Sequence, residues 1–164
     1  MTKPTFTIVA TDQLAELRRL SIDTFTDAFG AQNTAADLQA YLTKAFSPSQ
    51  LASELADVNS QFYFIQVANA VRGYLKLVSH TDYLEIQRLY LTSAVQHQGY
   101  GAAAIVFAAR RAQLADKSEL RLGVWEHNLA AIAFYRSQGF QQTSSHPFQL
   151  GSATQTDLIM TKKI

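Results

Sequence analysis

One stretch restricts the fold of this chain more than any other. From Leu84 to Ala104 it reads LEIQRLYLTSAVQHQGYGAAA. Apolar and polar residues alternate as in a β-strand, a glycine-containing loop follows, and an Ala-rich helix begins. That order leaves the first N–H groups of the helix unpaired and aimed at whatever lies across the strand end. Free donors at the positive end of a helix dipole make an anion site. The loop is Gln96-His97-Gln98-Gly99-Tyr100-Gly101, spaced Q-x-x-G-x-G, and its glycines let the backbone approach phosphate oxygens with no Cβ in the way.

The same letters fit a competing pattern, since Gly99 to Ala104 also satisfies the dinucleotide fingerprint G-x-G-x-x-A. In a Rossmann unit the glycines directly end the opening strand, and an acid about twenty residues on closes the next one. Here a loop separates Leu91 from Gly99, about half the chain comes first, and Arg121 stands where the acid is needed. A Rossmann unit is the poorer fit.

The 164 residues make one domain spanning 1–164, with enough chain for a sizeable core. The absence of cysteine excludes disulfides, thiolate metal sites and an acyl-cysteine intermediate, so any acyl transfer is expected to be direct. A net charge of +1 argues against a dedicated nucleic-acid binder. Seven acids against four bases give −3 over residues 1–60, and six against ten give +4 over 61–164. A basic half suits a phosphate-rich cofactor and an acidic half a cationic substrate. MTKPTFTIVA is too weakly apolar for a signal peptide and no run of eighteen apolar residues occurs, so a cytoplasmic location with no membrane partner is expected. A homodimer is left open.

In chain order, a strand is expected at Phe6–Ala10, then a helix from Asp12 to Phe29 capped by Thr11 and ended by Gly30. A second helix, capped by Asn33 or Thr34, runs through Ala45. Ser47-Pro48-Ser49-Gln50 opens a third that reaches about Asp57. Strands follow at Gln61–Ala68, Val71–Val78 and Tyr83–Leu91, then a helix from Gly99 to about Ala115 and a strand at Leu120–Trp125. Asn128 caps a helix through Gln138 with Gly139 at its C′ position, and strands near Phe140–Gln149 and Thr156–Lys162 flank a turn at Gly151–Thr154. The order β-α-α-α-β-β-β-α-β-α-β-β gives an α/β (mixed α+β) domain, a mostly antiparallel sheet of about seven strands with helices on both faces.

A second motif accompanies the loop: Asn128 to Phe140 reads N-x-x-A-x-x-F-Y-x-x-x-G-F. Together the two motifs resemble the GNAT superfamily of acetyl-CoA-dependent N-acetyltransferases, and the element order matches that fold over essentially the whole chain. The resemblance implies that the fourth and fifth strands are parallel and splay apart, with the pantetheine arm of acetyl-CoA in the opening. It implies that backbone groups of Leu89, Tyr90 and Leu91 pair with that arm. The N–H groups of Gln96, His97, Gln98, Gly99, Tyr100, Gly101 and Ala102 would meet the pyrophosphate, and Asn128 and Ala131 would hold pantetheine. Tyr135 would reach the thioester sulfur.

Acetylating an amine requires a base, because an alkylammonium with a pKa of about 10.4 costs roughly 4 kcal/mol to deprotonate near neutral pH. The leaving thiolate requires an acid. Tyr135 is the candidate acid. Glu85 is the candidate base, eleven residues before Gln96 at the offset many GNAT enzymes use; simple alternation puts it on one strand face with Gln87, Leu89 and Leu91, and Arg88 on the other. Glu126, at the end of the fifth strand, or a water chain is the alternative. His97, His80, His127 and His146 show no metal-ligand spacing, so no metal is expected.

Further phrases, among them Leu20-Ser-Ile-Asp-Thr-Phe-Thr-Asp-Ala-Phe29, Ser60-Gln-Phe-Tyr-Phe64, Leu122-Gly-Val-Trp-Glu-His-Asn128 and Gln155-Thr-Asp-Leu-Ile-Met160, resemble the PaiA-type bacterial spermine/spermidine N-acetyltransferases. That implies a polyamine or related small primary amine as acceptor. A polyamine needs carboxylates along a groove, for which Asp27 and Glu54 are the candidates beside Glu126. Two alternatives stand: acceptors that are protein N-termini, lysine or amino-sugars, and a non-catalytic acetyl-CoA-binding regulator.

Overall fold

The computed structural model describes residues 2–164. Seven strands form one sheet: β1 Thr5–Ile8, β2 Ser60–Val67, β3 Ala70–Ser79, β4 Tyr83–Leu91, β5 Glu119–Trp125, β6 Gln141–Leu150 and β7 Ala153–Lys163. Their spatial order is β1-β2-β3-β4-β5-β7-β6. All neighbours run antiparallel except β4 and β5, which are parallel because a crossover helix joins them. The helices are α1 Leu14–Phe29, α2 Ala35–Ala45, α3 Pro48–Ala56, α4 Tyr100–Leu114 and α5 Leu129–Ser137.

The expected caps at the later helices are present. Thr34 accepts from the Asp37 N–H at 3.1 Å, Ser47 from Gln50 at 3.1 Å, and Asn128 from Ala131 at 3.3 Å. Gly139 takes φ +93° after α5, the left-handed geometry that closes a helix without a Cβ penalty. The start of α1 differs from expectation. Thr11–Gln13 is a 3₁₀ turn, and the Gln13 side chain turns back to accept the Ala10 N–H at 2.8 Å. Gly30 remains right-handed at φ −61° and leads into another 3₁₀ turn, so it does not end α1 by a left-handed cap. The final hairpin is tighter than expected, because the pairing of Leu150 with Ala153 leaves only Gly151 and Ser152 as its turn.

The sheet is covered on both sides. Tyr63, Ile65, Leu75, Leu77, Leu84, Ile86, Leu120 and Leu122 meet α4 and α5 through Ala104, Ile105, Ala108 and Ile132. The opposite face carries Phe62, Phe64 and Tyr74 against Leu17 of α1, and an aromatic cluster of Phe25, Tyr41 and Phe46 joins α1 to α2 and its C-terminal end, with Leu51 of α3 packed beside it. The charged groups buried beside these clusters, Lys76 over the Phe62 ring and Arg88 over that of Phe46, are paired with Glu54, as their desolvation cost demands.

Two irregularities shape the centre. Pairing between β4 and β5 covers only Tyr83–Ile86 against Glu119–Leu122, while β4 stays bonded to β3 as far as Leu91 and β5 to β7 as far as Trp125. The strands therefore diverge beyond Ile86 and Leu122, as the family resemblance implied. The second is a bulge. Leu77 opposes Ile86 and Lys76 opposes Arg88, which leaves Gln87 as an extra residue. An inserted residue inverts the alternation beyond it. Glu85 thus shares its face with Arg88 and Tyr90, on the α1–α3 side, and Leu89 and Leu91 turn to the other. The expected grouping of Glu85 with Leu89 and Leu91 is corrected: period-2 counting has no means of registering the bulge.

Candidate active site

The loop expected to hold an anion has the required geometry. His97 takes φ +61° and Gly99 φ +86°, two left-handed residues that turn successive N–H groups inward. The first α4 bond is Ala103 N–H to Gly99 C=O at 3.1 Å, so the N–H groups of His97 to Ala102 have no backbone partner among the described residues. Side chains brace the loop. Gln96 Nε2 donates to the Leu91 carbonyl at 3.0 Å and Gln98 Nε2 to the Ala94 carbonyl at 3.2 Å. Gly101 lies close against α5, where a Cβ would stand 3.3 Å from Phe134 Cζ. Tyr100 is buried, and its ring secures the first turn.

Beside this loop, the edge of β4 from Gln87 to Leu91 has no strand partner on its β5 side. An open strand edge offers N–H and C=O groups at regular spacing to any amide-bearing chain. Tyr135 stands across α5, half-buried against Phe134 and Phe140, whose ring centroids lie 5.2 and 5.8 Å away. Burial pushes its phenol up to about 12. It therefore stays protonated near neutrality, the state a proton donor needs. Asn128 spends Oδ1 on the helix cap, which leaves its amide nitrogen for a ligand.

The carboxylates divide sharply. Glu85 accepts from or bonds to His80 Nε2 at 2.8 Å, and the His80 ring stacks on Tyr83 at 4.4 Å. Glu126 is exposed, with His127 at 3.4 Å. Asp27 is exposed on α1. Glu54 is bound internally: Lys76 Nζ lies at 2.6 Å and Arg88 at 2.9 Å, and its side chain is only 12 % exposed. Burial raises its pKa, but Arg88, Lys76 and Gln50 outweigh that and hold it below the usual carboxylate range. As found, Glu54 offers no free charge to a substrate, although it borders a cavity of about 290 Å³ with Tyr41, Lys44 and Gln149. Arg88 is its structural ion-pair partner. Among the described residues no group of three or more His, Asp or Glu is placed to hold a metal ion, and no helix is long and apolar enough to cross a membrane.

Asp157 was not singled out from the sequence, where it is one acid inside a β-pattern. In the structure it is partly buried on β7, opposite Trp125 and His146, and among the described residues no hydrogen bond or ion pair engages its carboxylate.

Comparison with known proteins agrees with this geometry. Residues 14–140 match the model of the acetyltransferase (GNAT) family. A relative described as an uncharacterized N-acetyltransferase in the pepI 3' region of Lactobacillus delbrueckii subsp. lactis is 38 % identical, with 95 % of each chain covered. The fold is similar to that of the PaiA N-acetyltransferase from Thermoplasma acidophilum in complex with coenzyme A, with TM-score 0.83 and 18 % identity over 99 % of each chain. It is also similar to a GCN5-related N-acetyltransferase from Rhodopseudomonas palustris, with TM-score 0.81 and 14 % identity over 100 % of this chain and 98 % of the other. The chain belongs to the acetyltransferase (GNAT) family, and it is an acyltransferase that draws on acetyl-CoA.

Proposed function

We propose that this protein transfers an acetyl group from acetyl-CoA to a small primary amine, by direct attack with both substrates bound. The observation that carries this reading is the open β4 edge ending in a loop of unpartnered N–H groups. The residues fit the donor: the amides of His97 to Ala102 suit a diphosphate, the Gln87–Leu91 edge suits an amide-bearing arm, and Asn128 lies beside the opening. Bound acetyl-CoA supplies the activated carbonyl.

The chain's own groups supply the proton chemistry. Tyr135 keeps its proton and is the donor to the departing sulfur. Glu85, bonded to His80, is the base that takes the proton of the amine, with Glu126 or water as the alternative. The zero-cysteine composition is consistent with direct attack. A polyamine is the finer reading, supported by the likeness to PaiA-type sequences and to the PaiA fold. The carboxylates left for its charges are Asp27, Glu126 and Asp157, since Glu54 is already matched.

The test is a free-thiol release assay with acetyl-CoA against spermidine, spermine, simple monoamines, an amino-sugar and a lysine peptide. Turnover on spermidine or spermine well above the peptide supports the polyamine reading. Turnover confined to the peptide or the amino-sugar refutes it. Tight coenzyme A binding without thiol release on any amine refutes catalysis.

A further inference from the structure

The face of β5 that looks toward α1 is open at one point. Leu122 and Val124 are buried on the other side, while Gly123, between them in the middle of a central strand, is exposed. An exposed glycine in a sheet interior marks a place where something approaches the backbone closely. Asp157 leans over that place. Its Oδ2 lies 3.4 Å from where a Gly123 Cβ would be, although its direct cross-strand partner is Trp125. The carboxylate therefore reaches diagonally over β5, toward the side on which β4 has already parted from it.

The surroundings are aromatic. Trp125 meets Phe29 edge to face at 6.3 Å, Phe29 packs on Phe25, and Phe25 stacks on Tyr41 at 4.4 Å. Tyr41 is close enough that the charge of Asp157 helps hold its hydroxyl up, after burial as the main cause. The nearest basic groups do not neutralise the carboxylate. Arg121, two residues before Gly123, donates to Glu119 at 3.0 Å and lies over the Tyr83 ring at 4.0 Å. His146 faces it from β6 but is exposed and makes no bond to it. A partly buried carboxylate without donors loses solvation, and the nearby His146 returns only part of that loss. Its pKa is raised by that burial. An anion without donors beside Trp125, with Tyr41 within electrostatic reach, is an environment that binds an ammonium group, because charge and ring quadrupole attract it together.

We infer that Asp157, over the gap left by Gly123 and beside Trp125, is the anchor for a protonated nitrogen of the acceptor. This rests on the proposed acetyl transfer to an amine and deepens it by assigning the acceptor's positive charge to a residue. Asp157 acts in binding, while proton removal stays with Glu85 or its alternatives. A polyamine presents such a nitrogen in addition to the one acetylated, and a monoamine presents only the latter.

Trp125 is the chain's only tryptophan, so its fluorescence reports the site without catalysis. Titration of the full chain with spermidine and with n-butylamine, at fixed pH and ionic strength, is expected to give a saturable change. Asp157→Asn, nearly isosteric, is expected to weaken that binding roughly 10- to 100-fold, to raise the acceptor KM by a similar factor, and to leave acetyl-CoA affinity unchanged. Gly123→Val keeps the carboxylate but fills the gap, and is expected to weaken amine binding as well. It serves as the test should Asp157→Asn not fold. Equal amine affinity in the wild type and in the folded variants overturns the inference, as does a wild type that shows no saturable response. Thiol release with an unchanged KM in Asp157→Asn overturns the anchor and leaves the acetyltransferase reading standing. Saturable, Asp157-dependent amine binding with no thiol release does the reverse.

Discussion

Replacing Glu54 by Gln removes one charge and leaves two. Lys76 and Arg88 stand opposite each other across β3 and β4, and their side chains are only 5 % and 13 % exposed. Glu54, at 2.6 and 2.9 Å, is the carboxylate that separates them. Removing one member of a buried ion pair costs about 3–5 kcal/mol. The residual exposure of the cluster favours the lower end, about 3 kcal/mol, or roughly 6–12 °C in Tm for a domain of this size.

The two cations differ. Burial lowers the Lys76 pKa and repulsion from Arg88 adds to that, whereas Arg88 stays firmly charged. The Glu54 and Lys76 shifts look contradictory as measures of one bond, but two cations sharing one carboxylate explain both; Lys76 is the strained member. Lys76→Met should therefore cost less than Glu54→Gln, and the double variant should recover about 1–3 kcal/mol of the summed losses. The pH dependence follows the sign of the shift. A carboxyl depressed on folding contributes fully above its ordinary value of 4.5, and the contribution fades as pH falls through the lower folded value. Urea unfolding of the four proteins between pH 3 and 7 measures all of this. A Glu54→Gln loss under about 1 kcal/mol, or strict additivity with Lys76→Met, would refute the structural role and return Glu54 to the list of substrate carboxylates.

Tyr135→Phe is expected to lower kcat about 10- to 1000-fold with coenzyme A affinity nearly unchanged; unaltered turnover in stopped-flow thiol release would move the acid elsewhere. Glu85→Gln should depress the alkaline-rising limb of the rate profile, and a wild-type profile would hand the base role to Glu126 or water. Gly73→Ala places a Cβ 2.4 Å from the Tyr90 carbonyl and 2.9 Å from Leu91 Cδ2. Overpacking of that kind costs about 1–3 kcal/mol. Because shifting Tyr90 and Leu91 on their β3 side also moves the same residues' groups on the open β4 edge, coenzyme A affinity measured by calorimetry should fall too, and a variant normal in both respects would contradict the assignment of that edge.

Much of the fold was readable residue by residue because the signals are local. Thr34, Ser47 and Asn128 cap the helices they announced, Gly139 closes α5 at positive φ, and the loop announced at Gln96 to Gly101 supplies free donors from His97 onward, the Gln96 N–H being taken by the Ser93 carbonyl. Each depends on the backbone within a few residues, where spacing and side-chain chemistry suffice. The bulge at Gln87 is different, since an extra residue shows only against its neighbour strand. It decided which face Glu85 shares. The fate of the acids was beyond linear reading for the same reason. Glu54 finds Lys76 and Arg88 at separations of 22 and 34 residues, and Asp157 reaches over Gly123 from another strand. Whether a carboxylate is matched or free depends on the charges that folding brings within a few ångströms, and only tertiary packing sets that distance.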